Sequence, residues 1–149
     1  MRHLFVLWLI AAAVCDWRQR RVPNILVIAG AFAALAALGL QATPLHIGWA
    51  DALSACAATF VFLLLFYAAG LMGAADVKFA AALALWLGLE GMLWTWIGAS
   101  LLAAVHSIGL MQMRRWTGAV RQRRREVPYA AHLATAALAW MAWAGSAAR

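Results

Sequence analysis

Six apolar stretches divide this chain, at residues 4–14, 25–40, 49–72, 77–89, 92–113 and 128–145, and the short segments between them hold most of its charge. Few folds accept that pattern. The residues are 67% hydrophobic and 11% charged, where a soluble domain averages roughly 45–50% apolar and about 25% charged. A bilayer absorbs such an excess on every outward face. Inside it no water serves the backbone, so N–H and C=O groups must pair within the chain, and long apolar runs do this as helices. The expectation is an all-α fold: a polytopic membrane helix bundle of about six transmembrane helices, forming a single membrane-embedded domain over residues 1–149.

A full crossing takes about 20 residues. The first and fourth stretches reach that length only if Asp16 and Asp76, with their neighbours, belong to the helices. Both acids are thereby placed at or just inside the membrane boundary. Charge then sets the orientation. The segments 16–23, 73–78 and 114–127 carry Arg18, Arg20, Arg21, Lys78, Arg114, Arg115, Arg121, Arg123, Arg124 and Arg125, whereas only Arg2 and Arg149 lie elsewhere. Cytoplasmic segments are the ones enriched in Lys and Arg. That puts these three inside, both termini outside, and both aspartates at the cytoplasmic face. The net charge of +7 is thus an orientation signal. No nucleic-acid-binding motif accompanies it, so the expected partner is the lipid bilayer and not nucleic acid. Residues 2–13 also have the outline of a cleavable signal peptide, but Arg18, Arg20 and Arg21 would oppose translocation just after the cut, so a retained first helix is expected.

Trp17 and Trp116 fit the inner boundary, and Trp49, Trp94, Trp96 and Trp143 the outer one, as interfacial anchors do. Trp8 and Trp86 lie deeper and are expected to pack between helices. Small residues such as Gly30, Ala33, Ala34, Ala37 and Gly39 allow helices to approach closely. Cys15 and Cys56 form no C-x-x-C pair and are expected to act as small buried hydrophobes. Asp51 and Glu90 fall in the external loops and are expected to be solvated. His106 and His132 lie within spans, where polar side chains find hydrogen-bond partners.

Three segments hold the candidate chemistry. Asp16-Trp17-Arg18-Gln19-Arg20-Arg21-Val22-Pro23-Asn24 closes the first helix. Pro23 prevents a continuous helix, and Asn24 is a suitable N-cap for the next one. Gly70-Leu71-Met72-Gly73-Ala74-Ala75-Asp76-Val77-Lys78 opens the fourth. Its small residues permit a tight loop and close approach of a substrate backbone, and Asp76 lies near a helix N-terminus, where a carboxylate is favoured. Val127-Pro128-Tyr129-Ala130-Ala131-His132 starts the last helix, with Tyr129 at the boundary. Each acid taken alone reads as a boundary cap or an arginine partner. Two carboxylates on one membrane face are also what aspartic proteolysis requires: one ionised to take a proton from water, the other protonated to polarise the scissile carbonyl.

The ordered set resembles the type IV prepilin peptidases, the GxGD class of membrane aspartyl proteases, and in particular their short form serving Flp-type (tight adherence) pili. Asp16 with Arg20-Arg21-Val22-Pro23-Asn24, Gly73-Ala74-Ala75-Asp76-Val77-Lys78 and Pro128-Tyr129-Ala130 carry the likeness. The resemblance implies an aspartic-type endopeptidase in a bacterial inner membrane with Asp16 and Asp76 as catalytic pair. It implies Gly73, Ala75, Lys78, Pro23, Asn24 and Tyr129 as supporting or substrate-binding residues, and no metal or cofactor. The substrate would be a prepilin or pseudopilin with a short basic leader, cut at the cytoplasmic face, and pilus or secretion machinery would be the wider partner. Larger members add a zinc-binding domain with paired C-x-x-C motifs and a methyltransferase activity, neither of which this sequence supports. Ala75 departs from the pattern, where glycine is the family residue; if the position needed a positive φ, alanine would strain it by roughly 1 kcal/mol or more. The competing reading is a small polytopic transport or assembly subunit that uses its acids as a proton relay or ion pair.

Overall fold

The computed structural model describes residues 1–117 and 128–147. They form five helices: α1 (Arg2–Gln19), α2 (Asn24–Gly39), α3 (Trp49–Ala68), α4 (Ala74–Thr117) and α5 (Tyr129–Ala147). The all-α expectation holds. Most of the basic segment 114–127, with Arg121, Arg123, Arg124 and Arg125, and also Arg149, lies outside the described residues.

α4 is not one rod. Gly88 has φ 70° and ψ −177°, which divides the helix into segments 74–87 and 89–117. A left-handed φ disfavours any residue with a Cβ. The N–H of Leu89, exposed by the break, donates to Asp51 Oδ1 at 3.0 Å. Asp51 is therefore no solvated loop residue. It is half-buried in the first turn of α3, where it caps the second segment of α4. A Cβ on Gly88 would collide with its carboxylate. The sequence pattern put the interruption at residues 90–91, just past the true break. Glu90 is exposed, as expected.

Two stretches have the length and apolarity of a membrane crossing: Trp49–Ala68 and Ala74–Met113, the latter containing the break. α2 is apolar but shorter, at 16 residues. α1 carries Arg2, Asp16 and Arg18 within its 18 residues. The helices by themselves thus support a membrane protein, and do not support six full spans with external termini.

The first segment of α4 is the axis of the bundle. Every residue from 79 to 88 is buried, which explains why this stretch is apolar all round and not on one face. α2, α3 and α5 pack against α4, and α1 packs against α5 and α2. Aromatic rings join α1 to the axis: Phe5 lies 4.9 Å from Trp86 and Trp8 lies 5.1 Å from Phe79, centroid to centroid. The two buried indoles need acceptors for their N–H groups, and α2 supplies them. Trp8 Nε1–H donates to the Leu26 carbonyl at 2.8 Å, and Trp86 Nε1–H to the Gly30 carbonyl at 3.0 Å. Large side chains such as Phe32 and Val105 point outward, 68% and 70% exposed, as a lipid solvent permits.

Gly30 is required by this clamp, because a Cβ there would overlap the Trp8 ring. Gly30→Ala is expected to destabilise the protein by about 1–3 kcal/mol, the usual range for overpacking. Gly109→Ala is the control, since nothing lies within 4 Å of a Cβ there; on helix propensity it should gain up to roughly 1 kcal/mol. Unfolding midpoints of the two variants in detergent should therefore move in opposite directions.

Candidate active site

Asp16 lies in the last turn of α1. Its carbonyl accepts the N–H of Arg20 at 2.8 Å, and Arg20 ends the helix in a left-handed conformation with φ 55°. Val22, 5% exposed, anchors the following turn in the core. Pro23, not Asn24, occupies the N-cap position of α2. Its carbonyl accepts the N–H groups of Leu26 and Val27 at 3.0 and 3.2 Å, while Asn24 is the exposed first helical residue. The fixed φ of proline already suits that position, so the asparagine side chain is not needed as a cap.

The α3–α4 turn is built by glycine. Gly70 has φ 73°. The N–H groups of Gly70 and Leu71 return to the Tyr67 and Phe66 carbonyls, both at 2.9 Å, closing α3 as left-handed helix caps do. Gly73 is buried, and its carbonyl accepts the N–H groups of Asp76 and Val77 at 3.0 and 3.3 Å. This sets Asp76 in the first turn of α4. Ala75 belongs to that same helical turn and is not among the residues of positive φ. The strain considered for an alanine here does not arise.

α5 completes the arrangement. The Pro128 carbonyl accepts the His132 N–H at 3.2 Å, and Tyr129 is the first helical residue. The first N–H groups of a helix have no partner in their own helix and carry its positive end. Asp16, 5% exposed, meets one of them: its Oδ2 accepts the Ala131 N–H at 3.0 Å. Asp16 is thus held at the N-terminal end of α5, and Asp76 sits at the N-terminus of its own helix.

Asp16 and Asp76 line one cavity of about 500 Å³, together with Gly73, Ala75 and Tyr129. The structure therefore brings together five of the eight residues singled out in the sequence. Pro23, Asn24 and Lys78 do not line the cavity, and Lys78 is exposed. Arg20 and Arg21 do line it, which gives two of the orientation arginines a place beside the acids. The Tyr129 hydroxyl lies 3.3 Å from Ser100 Oγ. Nearby, His106 Nδ1 and His132 Nε2 are 3.1 Å apart, so each histidine has found a hydrogen-bond partner as expected. Cys15 and Cys56 are free and half-buried.

One wall of the cavity belongs to no motif in the sequence. Trp96, Ser100, Ala103 and Ser107 form a stripe along the second segment of α4. Trp96, expected as an anchor at the outer boundary, shares a cavity with both acids. Ser100 and Ser107, two turns apart in an apolar run, were the available trace. Among the described residues no group of three or more His, Cys, Asp or Glu side chains converges as metal ligands would.

Two acids opening onto one cavity of an apolar helix bundle give chemistry that a membrane-embedded hydrolase can use. A comparison with protein-family models matches residues 3–108 to the type IV leader peptidase family, and the chain belongs to that family. Membership makes it a leader peptidase, and two helices apolar enough to cross a membrane suit a membrane protein. The match contains both aspartates, whereas α5, with Tyr129 and Ala131, lies beyond it. Comparisons with curated proteins and with solved structures find no match.

Proposed function

We propose that the protein is an aspartyl endopeptidase that removes the leader from type IV, Flp-like prepilins or pseudopilins at the cytoplasmic face of a bacterial inner membrane. Asp16 and Asp76 are the catalytic pair. The observation that supports this reading is their shared cavity, reached from the ends of different helices. The transport or assembly reading is the weaker one, because the leader peptidase family match contains both acids.

In this mechanism a water molecule lies between the carboxyl groups and the scissile carbonyl. One aspartate takes a proton from the water as its oxygen bonds to the carbonyl carbon. The other gives a proton to the carbonyl oxygen. When the tetrahedral intermediate collapses, the C–N bond breaks, the departing amine takes up the proton held by the first aspartate, and a hydroxyl of the intermediate returns a proton to the second. Gly73 and Ala75 keep the wall low enough for a peptide backbone to approach. Pro23 fixes the turn behind Asp16, and Asn24 and Lys78 are exposed beside the site. With α4 broken at Gly88 the described residues form six helical segments, and an even number of spans would put both termini outside if the arginine-rich segments are cytoplasmic. Methyltransferase activity is not expected.

The test is to incubate the purified protein in lipid nanodiscs with an Flp-type prepilin and to locate the cut by mass spectrometry. A single cut at the end of the leader is expected; an intact prepilin would sink the proposal. Tyr129→Phe removes the hydroxyl beside Ser100. A net hydrogen bond contributes about 0.5–1.5 kcal/mol, so kcat should fall roughly 3- to 10-fold with KM little changed. An unchanged kcat would remove Tyr129 from the site.

A further inference from the structure

A second cavity, of about 430 Å³, lies between α3 and the second segment of α4. Thr59, Phe62, Leu63, Met92, Leu93 and Trp96 contribute to its lining, and among the described residues Thr59 is the one that brings a hydroxyl. It adjoins the acid cavity, and Trp96 belongs to both. Phe66, which lines the acid cavity, and Phe62, which lines the second, are one helical turn apart on α3. Their rings are 5.1 Å apart and meet Trp96 edge-on, at 5.5 Å from Phe62 and 6.4 Å from Phe66. This aromatic trio is the partition between a polar chamber and a greasy one.

We propose that the groove between α3 and the second segment of α4 receives the apolar segment of the peptide that Asp16 and Asp76 cut, and that Phe62, Phe66 and Trp96 set the boundary between the scissile bond and that segment. The inference rests on the proteolytic reading of the acid pair. Continuity selects the occupant. The acid cavity is lined by charged and polar groups, among them Asp16 and Asp76, and Trp96 is common to its wall and to that of the apolar groove. From Phe66 to Thr59 the groove descends about 10 Å along α3, at 1.5 Å per residue. A chain that is polar up to the cut and apolar after it fits both chambers in one direction only. A lipid chain or a second copy of the protein would have no reason to continue into the acids.

Disulfide trapping tests this. The full-length protein, with Cys15 and Cys56 replaced by alanine, would carry Thr59→Cys, and Asp16→Asn would keep the peptide whole. The probe is a synthetic peptide with a lysine-rich leader, a glycine, and an apolar segment of roughly 20 residues bearing one cysteine within two turns of the glycine. Cross-linking should exceed that of Ile28→Cys, an exposed position on α2, by about tenfold. In the protein with both aspartates present, Thr59→Trp should raise KM for the same peptide by about tenfold. Equal cross-linking at the two positions, or an unchanged KM, overturns the proposal and leaves lipid as the occupant. Cleavage of the peptide by the unmodified protein is read separately. If it is cut but not trapped, the groove assignment falls and the acid pair stands; if it is not cut, both fall.

Discussion

Asp16→Asn and Asp76→Asn should each abolish leader cleavage, lowering kcat/KM by about 10³-fold or more, as removal of one member of a catalytic unit does. Asparagine is the informative substitution. At position 16 its side-chain oxygen can still accept the Ala131 N–H that Asp16 now accepts at 3.0 Å, so the α1–α5 junction survives while the proton chemistry is lost. Asp16→Ala would additionally leave that N–H buried and unpaired, at a cost of about 1–3 kcal/mol. Initial rates and unfolding midpoints should therefore separate: both asparagine variants inactive with near-normal midpoints, the alanine variant inactive and less stable. A normal processing rate in either asparagine variant would refute the dyad.

Gly88→Ala is expected to produce the largest loss of stability. A Cβ at φ 70° costs roughly 1–2 kcal/mol, and this one also meets the Asp51 carboxylate, an overpacking that adds about 1–3 kcal/mol. Such a loss is a large share of the roughly 5–15 kcal/mol that holds a typical domain together. Adding Asp51→Ala should restore only part of it. The clash would go, but the backbone strain would remain and the Leu89 N–H would lose its acceptor. Denaturation of the single and double variants measures the coupling. A Gly88→Ala protein as stable as the parent would mean that α4 does not break at that residue.

Helix positions, the lipid-facing character of the chain and the placement of both acids at helix ends were legible because apolar run length and the position of charge carry that information locally. The depth of Trp8 and Trp86 was legible for the same reason. Asp51 was not. Its role depends on Leu89, 38 residues away, and a lone acid at a helix start looks solvated when its partner is unknown. The break at Gly88 was hidden because Leu87 and Leu89 flank it with apolar residues, so hydropathy continues through a turn that only φ reveals. Of the site, the Gly73–Asp76 turn and Tyr129 were readable as motifs. The wall formed by Trp96, Ser100 and Ser107 was not, because it exists only when the second segment of α4 folds back beside its own beginning.

The bond between Asp16 and Ala131 joins positions 115 residues apart. It has a consequence for biogenesis. At a synthesis rate of roughly 5–20 residues per second, the partner of Asp16 leaves the ribosome some seconds after Asp16 itself, and Tyr129 arrives with it. A nascent chain that has inserted only its first four helices already holds both acids, yet it lacks the helix end that orients one of them. The fold thus leaves Asp16 without its helix-end partner until α5 has been made.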